Sequence, residues 1–446
     1  MLLRPHDRDE QKMTSEQAPA KSDKLGLLEV VSIGIGGMVG GGIFSVLGLS
    51  MHIAGHAVAV TFALGAVIAL LTAICYAKLG LSYRSDGGSF TYLEHAFKNH
   101  NVAGIGGWLL VAGYVGTNAL YAYTFGAYGA ALIGHGELAH KLLSAAVLVF
   151  FLAINLIGVR ASGVTEDLIV GLKVIILLIF GGIGLTTMHH DPSLPVFNNG
   201  YLSLLTASAV IFVAYEGFEL IPNVVDEMED PERDLPLGLV ISVFVVSLMY
   251  VLLAIVADGN LTADQVDKYK EYALAVAAQP ALGKAGFVII SLAALLSTAS
   301  AINATLFGSA RLATVMAKSE TLPRIFSLRE RKHGIPWFSL TSLTITSAAL
   351  ATSSSLATIS GVASGLFLLI FAFINAAAFR LAKKINLRRR IAVSGFVLCV
   401  ASLIVLIIYC WTNSPATLIT TVSFIAIMVL LELLYSARRV FFRRKQ

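Results

Sequence analysis

The chain has 446 residues, of which 57% are hydrophobic and 13% charged, with a formal net charge of +5. A soluble domain of this size carries about 25% charged residues, and so low a charged fraction excludes one. Repeated apolar stretches point instead to an all-α integral membrane protein.

In chain order, MLLRPHDRDEQKMTSEQAPAKSDK comes first. It is polar and charge-balanced, without the apolar region of a signal peptide, so residues 1–25 read as a disordered cytoplasmic tail. Twelve transmembrane spans are then predicted near 28–49, 57–75, 105–133, 143–157, 168–187, 205–225, 237–257, 286–316, 338–351, 356–379, 391–411 and 416–435. Around the Ser-rich TSSSLATISG, one long kinked span is the alternative to two. A basic tail, 438–446, closes the chain.

Positive charge collects in cytoplasmic loops, so it orients the spans. With the N-terminus inside, the cytoplasmic breaks hold Lys78, Arg84, Lys98, Arg160, Arg233, Lys318, Arg324, Arg329, Arg331, Lys332, Arg380, Lys383, Lys384, Arg388, Arg389 and Arg390. The opposite loops hold Lys141, Lys268, Lys270 and Lys284. Both termini are therefore expected in the cytoplasm. Basic loops facing anionic lipid require no nucleic acid partner. Cys75, Cys399 and Cys410 lie within apolar spans at no metal-ligand spacing, and no metal is expected.

The first span, SIGIGGMVGGGIF, carries six glycines within one helix length. Each costs about 1 kcal/mol against alanine in a helix interior, and three in a row, Gly40 to Gly42, suggest a break. Close packing through the GxxxG pair Gly36 and Gly40 is the alternative. Unwound backbone inside a bilayer is tolerated where it lines a cavity or is buried in protein. The sixth span, FVAYEGFELIPN, combines Glu216, Gly217, Glu219 and Pro222, a second candidate break. Matched discontinuities opening two five-span halves point to a secondary transporter built from inverted repeats.

Four ordered motifs carry a family resemblance. VGGGIF (39–44), YAKLGLSYRSDGGSFTYLEHAF (76–97), FVAYEGFELIPNVVDEMEDPERDLP (212–236) and SAINATLFGSARLATVMAKSETLP (300–323) resemble the motifs of the amino acid–polyamine–organocation superfamily. Arg84 to Asp86 replaces the usual proline neighbourhood, and Ser319-Glu320 replaces a glycine before the Leu-Pro pair. The resemblance implies a LeuT-like 5+5 inverted-repeat core over 26–385, with repeats of about 26–190 and 200–385. Helices 1 and 6 are then discontinuous, and two C-terminal helices follow over 386–437.

It also implies a small-molecule amino acid substrate. Gly40, Gly41 and Gly42 would hold the carboxylate at a half-helix N-terminus. The backbone of Val213, Ala214 and Tyr215, with Met38 and Gly217, would hold the ammonium and form the wall. Val213 stands where relatives often carry a large aromatic residue. Glu216 would attract a cationic side chain or pair within the protein. Glu219 matches the sixth-span acid near the gate, either in a proton-sensitive network or as a structural carboxylate.

Lys173 is the charge least suited to its neighbours. At 1.5 Å per residue from Val164 it lies roughly 13 Å deep. Its stem reaches only about 6 Å towards water, and an unpaired lysine at depth costs about 3 kcal/mol. Sodium-coupled relatives of the fold hold a cation between spans one, five and eight, and some proton-coupled members place a fifth-span lysine there. The resemblance thus implies that the Lys173 ammonium replaces an ion, donating to the Gly36 carbonyl and to Ser297, Thr298 or Ser300. A permanently charged helix staple is the alternative. The coupling ion is a proton, with no other cofactor.

Asn155, Asn303 and Asn375 read as interhelical hydrogen-bonding groups, and Trp108, Tyr114, Tyr121 and Tyr123 as packing or one pocket wall. Asn260-Leu261-Thr262 matches a glycosylation sequon. No phosphate-binding loop, HExxH or serine elbow appears, so an enzyme is not expected. The reading is a proton-coupled amino acid transporter of a bacterial inner membrane, with an obligatory exchanger or a non-transporting sensor as alternatives.

Overall fold

The computed structural model describes residues 24–85, 87–97, 100–158, 163–189, 196–328 and 335–443. The predicted tail, apart from Lys24 and Leu25, lies outside these residues, as do Asp86, Lys98, Arg160, Arg329, Arg331, Lys332 and the last three residues of the basic tail. Among the described residues the fold is all helical, and its one β-bridge joins Leu25 to Met228.

The first span is α1 (Leu27–Met38) and α2 (Gly42–Ala54), parted by Val39–Gly41. Then come α3 (Val58–Ser82), a short α4 (Gly88–Ala96), α5 (His100–Ile133), α6 (Glu137–Ile157) and α7 (Gly163–Gly184). The sixth span is α8 (Tyr201–Val210) followed by 3-10 turns over Phe212–Tyr215 and Phe218–Glu227. The second half continues with α9 (Pro231–Asn260), α10 (Ala263–Tyr269), α11 (Ala273–Ala277) and α12 (Gln279–Lys318). Last are α13 (Trp337–Ser353), α14 (Leu356–Leu381), α15 (Arg389–Asn413) and α16 (Pro415–Arg443).

Each expected span falls on one helix or broken pair, yet length and hydropathy alone do not reach twelve. Nine helices among the described residues are long and apolar enough to cross a membrane, ten if the pair bent by 52° around Ile211 is one span. The difference has a geometric cause. With 12 residues, α1 is about 18 Å long, too short to cross unaided. α13 has 17 residues, and α2 runs into α3 through the turn at Gly55.

Local chemistry sets the ends of these elements. Ser355 caps α14 by accepting from the Thr358 N–H, which makes the Ser-rich stretch a boundary between two helices. At α9, Pro231 opens the helix with Glu232 and Asp234 in its first turn, where acids suit the dipole. Asn260 is buried and donates to the Gly184 and Val256 carbonyls, so its side chain is a helix tie and no glycan acceptor. Asn155 donates to Asn303, and Asn375 to Thr72, as interhelical bonds.

Packing divides the bundle around the two breaks. α1 rests on α9 and on Phe218–Glu227, α3 on α9, and α5 on α6, α12 and α14. α7 leans on α1, α9 and α12. Its buried face is Val170, Lys173, Leu177 and Phe180, at helical spacing, while Leu172, Ile175, Leu178 and Ile179 face outward. Helical periodicity thus turns Lys173 inward although its neighbours suit lipid.

Candidate functional site

The site is built from backbone that the two breaks release. Residues Val39–Gly41 leave α1 without starting α2, so their polar groups need partners outside the helix. The carbonyls find them. Gly36 accepts from Lys173 Nζ at 3.0 Å and Gly37 from Tyr121 at 3.4 Å. Met38 accepts from Tyr250 at 2.6 Å, and Val39 from both Lys173 and Ser297 at 2.5 Å. Ser297 also reaches Gly40, and Ser45 donates to Gly41 at 2.8 Å.

The amides do not. Among the described residues, the N–H groups of Gly40, Gly41, Gly42 and Ile43 find no hydrogen-bond acceptor, and no side chain caps α2. All four residues are buried. Unpaired amides at the start of a half-helix, reinforced by its dipole, suit an anion such as a carboxylate.

The sixth span breaks against the first. Gly217 has φ 122°, and a methyl there would lie 2.4 Å from the Gly37 carbonyl carbon. Glycine is required on both counts, the left-handed conformation and the backbone contact. The released groups are again satisfied by neighbours. Ser360 and Ser364 both donate to the Val210 carbonyl at 2.7 Å, and the Val213 N–H donates to Ser364. Tyr250 joins the two breaks by also meeting the Ala214 carbonyl at 3.1 Å. Tyr215 is held by the Phe62 carbonyl.

The two acids flank Gly217. Glu219 accepts from the Gly217 N–H at 2.8 Å and from Tyr114 at 3.5 Å. Glu216 accepts from Tyr121 at 3.0 Å. Both acids are buried.

Most of the expected residues converge here, with differences. Lys173 meets Gly36 as expected, together with Val39, which the sequence reading did not single out. Ser297 shares the Val39 carbonyl with it. Thr298 instead donates to Ala294 and Leu295 of its own helix, because a threonine hydroxyl in a helix reaches its preceding turn, and Ser300 is half-buried on α12. The Met38 and Ala214 carbonyls, expected to face an ammonium, are engaged by Tyr250, and Val213 by the Glu216 N–H; each carbonyl has a second lone pair. Tyr121, read chiefly as packing, is a working contact of both breaks. Tyr250 went unnoticed; a lone phenol in the apolar α9 was the available signal, since buried tyrosines seek a partner.

The profile of the amino acid permease family matches residues 25–434. The chain belongs to this family. A relative in Methanocaldococcus jannaschii, the uncharacterized protein MJ0609, is 36% identical over 93% of this chain and 96% of its own. The inner membrane transport protein YbaT of Escherichia coli is 30% identical over 89% and 92%. Among solved structures, the manganese transporter of Eremococcus coleocola superposes with a TM-score of 0.60 at 14% identity, over 92% of this chain and 95% of that one. That likeness establishes the LeuT-like fold alone. This permease is therefore a multi-pass membrane transporter, and its family and relatives are transporters rather than enzymes.

One motif departs from the family pattern at a turn. Where the family pattern has a glycine before Leu322-Pro323, Glu320 adopts φ 60°. The left-handed turn that follows α12 is thus formed by an unfavoured residue.

Proposed function

We propose that this permease is a secondary active amino acid transporter that couples uptake to protons by alternating access. One observation carries the reading: the Lys173 ammonium donates to the carbonyls of Gly36 and Val39 at the break in the first span. A monovalent cation would be held by the same carbonyl oxygens. An ammonium placed there is an ion that the protein carries itself, and its proton is the species that can come and go. Loss of that proton removes the charge holding the unwound carbonyls, which biases the first span towards another arrangement.

The unpaired amides of Gly40, Gly41, Gly42 and Ile43 supply the carboxylate end of the substrate site. The unwound sixth-span backbone at Val213 to Gly217, with Met38, supplies the ammonium end through the second lone pairs of its carbonyls. Glu219, held by Gly217 and Tyr114, links the site to α5 and is the second group through which protonation acts. We place the permease in an inner membrane with both termini cytoplasmic, following its basic loops.

The test is uptake of labelled amino acids into proteoliposomes with and without an inward proton gradient, for the parent and Lys173→Ala. Gradient-driven accumulation in the parent, lost in the variant while substrate still binds, is the expected result. Accumulation that persists in the variant overturns the role of Lys173. Uptake that needs amino acid on the far side replaces symport by exchange.

A further inference from the structure

Two histidines stand at the far end of the half-helix whose first turn carries the unpaired amides. The stretch MHIAGHA puts His52 in the last turn of α2 and His56 in the turn after it, where Gly55, at φ 60°, ends the helix. Each ring meets a carboxylate of another element. His52 Nδ1 lies 2.5 Å from Asp267 of α10, and His56 Nδ1 lies 2.9 Å from Asp258 in the last turn of α9. The first pair is open to water, with side chains 46% and 64% exposed, and the second is more enclosed, at 27% and 15%. Water screens an ion pair, so His56 carries the larger share.

The segment from α10 to α11 covers α2 as a lid. A methyl on Gly48 would lie 2.2 Å from the Lys270 carbonyl oxygen and 2.8 Å from Ala273. On its other side the lid is tied to α5: Glu271 accepts from the Tyr123 hydroxyl, and Tyr272 packs edge-on against Tyr128. Tyr128 in turn donates to the Phe44 carbonyl of α2 at 2.7 Å. The basic loops make this the outer face. Around the two pairs, the lid brings Asp264, Lys268, Tyr269, Lys270, Glu271 and Tyr272, α5 brings Tyr123 and Tyr128, and α9 brings Tyr250. His189 reaches the neighbouring Gly259 through its backbone N–H. α8, the outer half of α3 and the start of α14 bring no charged residue. Histidine is the one side chain of this set whose ordinary charge change falls between pH 5 and 8.

We propose that His52 and His56 form a proton-operated latch on the outer lid. Protonated, they pin the outer half of the first span to α9 and α10 and hold the outer face closed; neutral, they release it. The inference rests on the alternating-access reading above and adds the groups through which external acid acts on it. Protonation turns each neutral hydrogen bond into an ion pair, and the pairs exist with the lid shut, so the closed population gains.

Thiol accessibility in proteoliposomes tests this. Leu274 of α11 is buried, and the native Cys75, Cys399 and Cys410 are buried as well. A membrane-impermeant thiol reagent is applied to Leu274→Cys at pH 7.5 and 5.5, and its rate is divided by that of Ser353→Cys on the exposed outer loop, which removes the reagent's own pH dependence. The relative rate is expected to fall by about threefold or more at pH 5.5. Adding His52→Gln and His56→Gln should abolish the fall, with His56→Gln alone removing more of it than His52→Gln. A relative rate that does not change with pH overturns the latch, as does a fall that persists in the folded double variant. A Leu274→Cys thiol that never reacts, at either pH and with or without amino acid, overturns the alternating-access reading itself.

Discussion

Tyr250 and Met38, 212 positions apart in the chain, are joined by a hydrogen bond of 2.6 Å from phenol to carbonyl. The same hydroxyl meets Ala214 at 3.1 Å, so one buried side chain on α9 spans both helix breaks. Tyr250→Phe keeps the ring and its packing against Phe62 and Tyr215 but removes both contacts. We expect a loss of about 1–2 kcal/mol in stability, from carbonyls left without a donor, and weaker substrate binding. Thermal melting of the purified variant, with and without amino acid, reads both effects; an unchanged melt would make the phenol a packing group.

Lys173 and Ser297 donate to one carbonyl, that of Val39. Either can be removed while the other still satisfies it, whereas removal of both strips it. Lys173→Met combined with Ser297→Ala should therefore destabilise by more than the sum of the singles, with an interaction of about 0.5–3 kcal/mol. A double-mutant cycle on melting of the purified protein measures this. Strict additivity would mean that the two groups act independently.

Gly217 and Gly37 touch through their backbones. Gly217→Ala forces a methyl into the Gly37 carbonyl group and strains a positive φ at about 1–3 kcal/mol for the conformation alone. Lower yield of folded protein and loss of substrate binding are expected. By contrast, Gly171→Ala, whose added methyl meets open space, should melt as the parent does.

Glu320 offers a change in the opposite direction. Its left-handed conformation costs about 1–2 kcal/mol for an ordinary residue, and its exposed ion pair with Arg324 returns little. Glu320→Asn, better suited to positive φ, should stabilise by up to about 1 kcal/mol. A raised melting temperature with unaltered uptake is the expected result.

The helices and the two breaks were legible in the sequence because apolar length and runs of glycine are local signals. Lys173 was legible for the same reason, as a charge in the wrong company. The partners of these features were not. Val39 is chosen by Lys173 through its carbonyl, and every residue has one, so no side-chain pattern marks it. Tyr121 and Tyr250 sit in apolar helices where an aromatic residue is ordinary, and only the fold brings their hydroxyls to the unwound backbone. Thr298 shows the converse: a hydroxyl at the right place in the chain was spent on its own helix.

The ammonium of Lys173 beneath the first-span break also changes how that position responds to its surroundings. A dissolved ion occupies such a place to an extent set by its concentration and dissociation constant. An ammonium on a covalent stem cannot diffuse away, so while it is protonated dilution does not empty its place and no alkali cation in the medium has to fill it. The carbonyls of Gly36 and Val39 therefore keep a donor of their own for as long as Lys173 stays protonated, whichever alkali cation the medium holds.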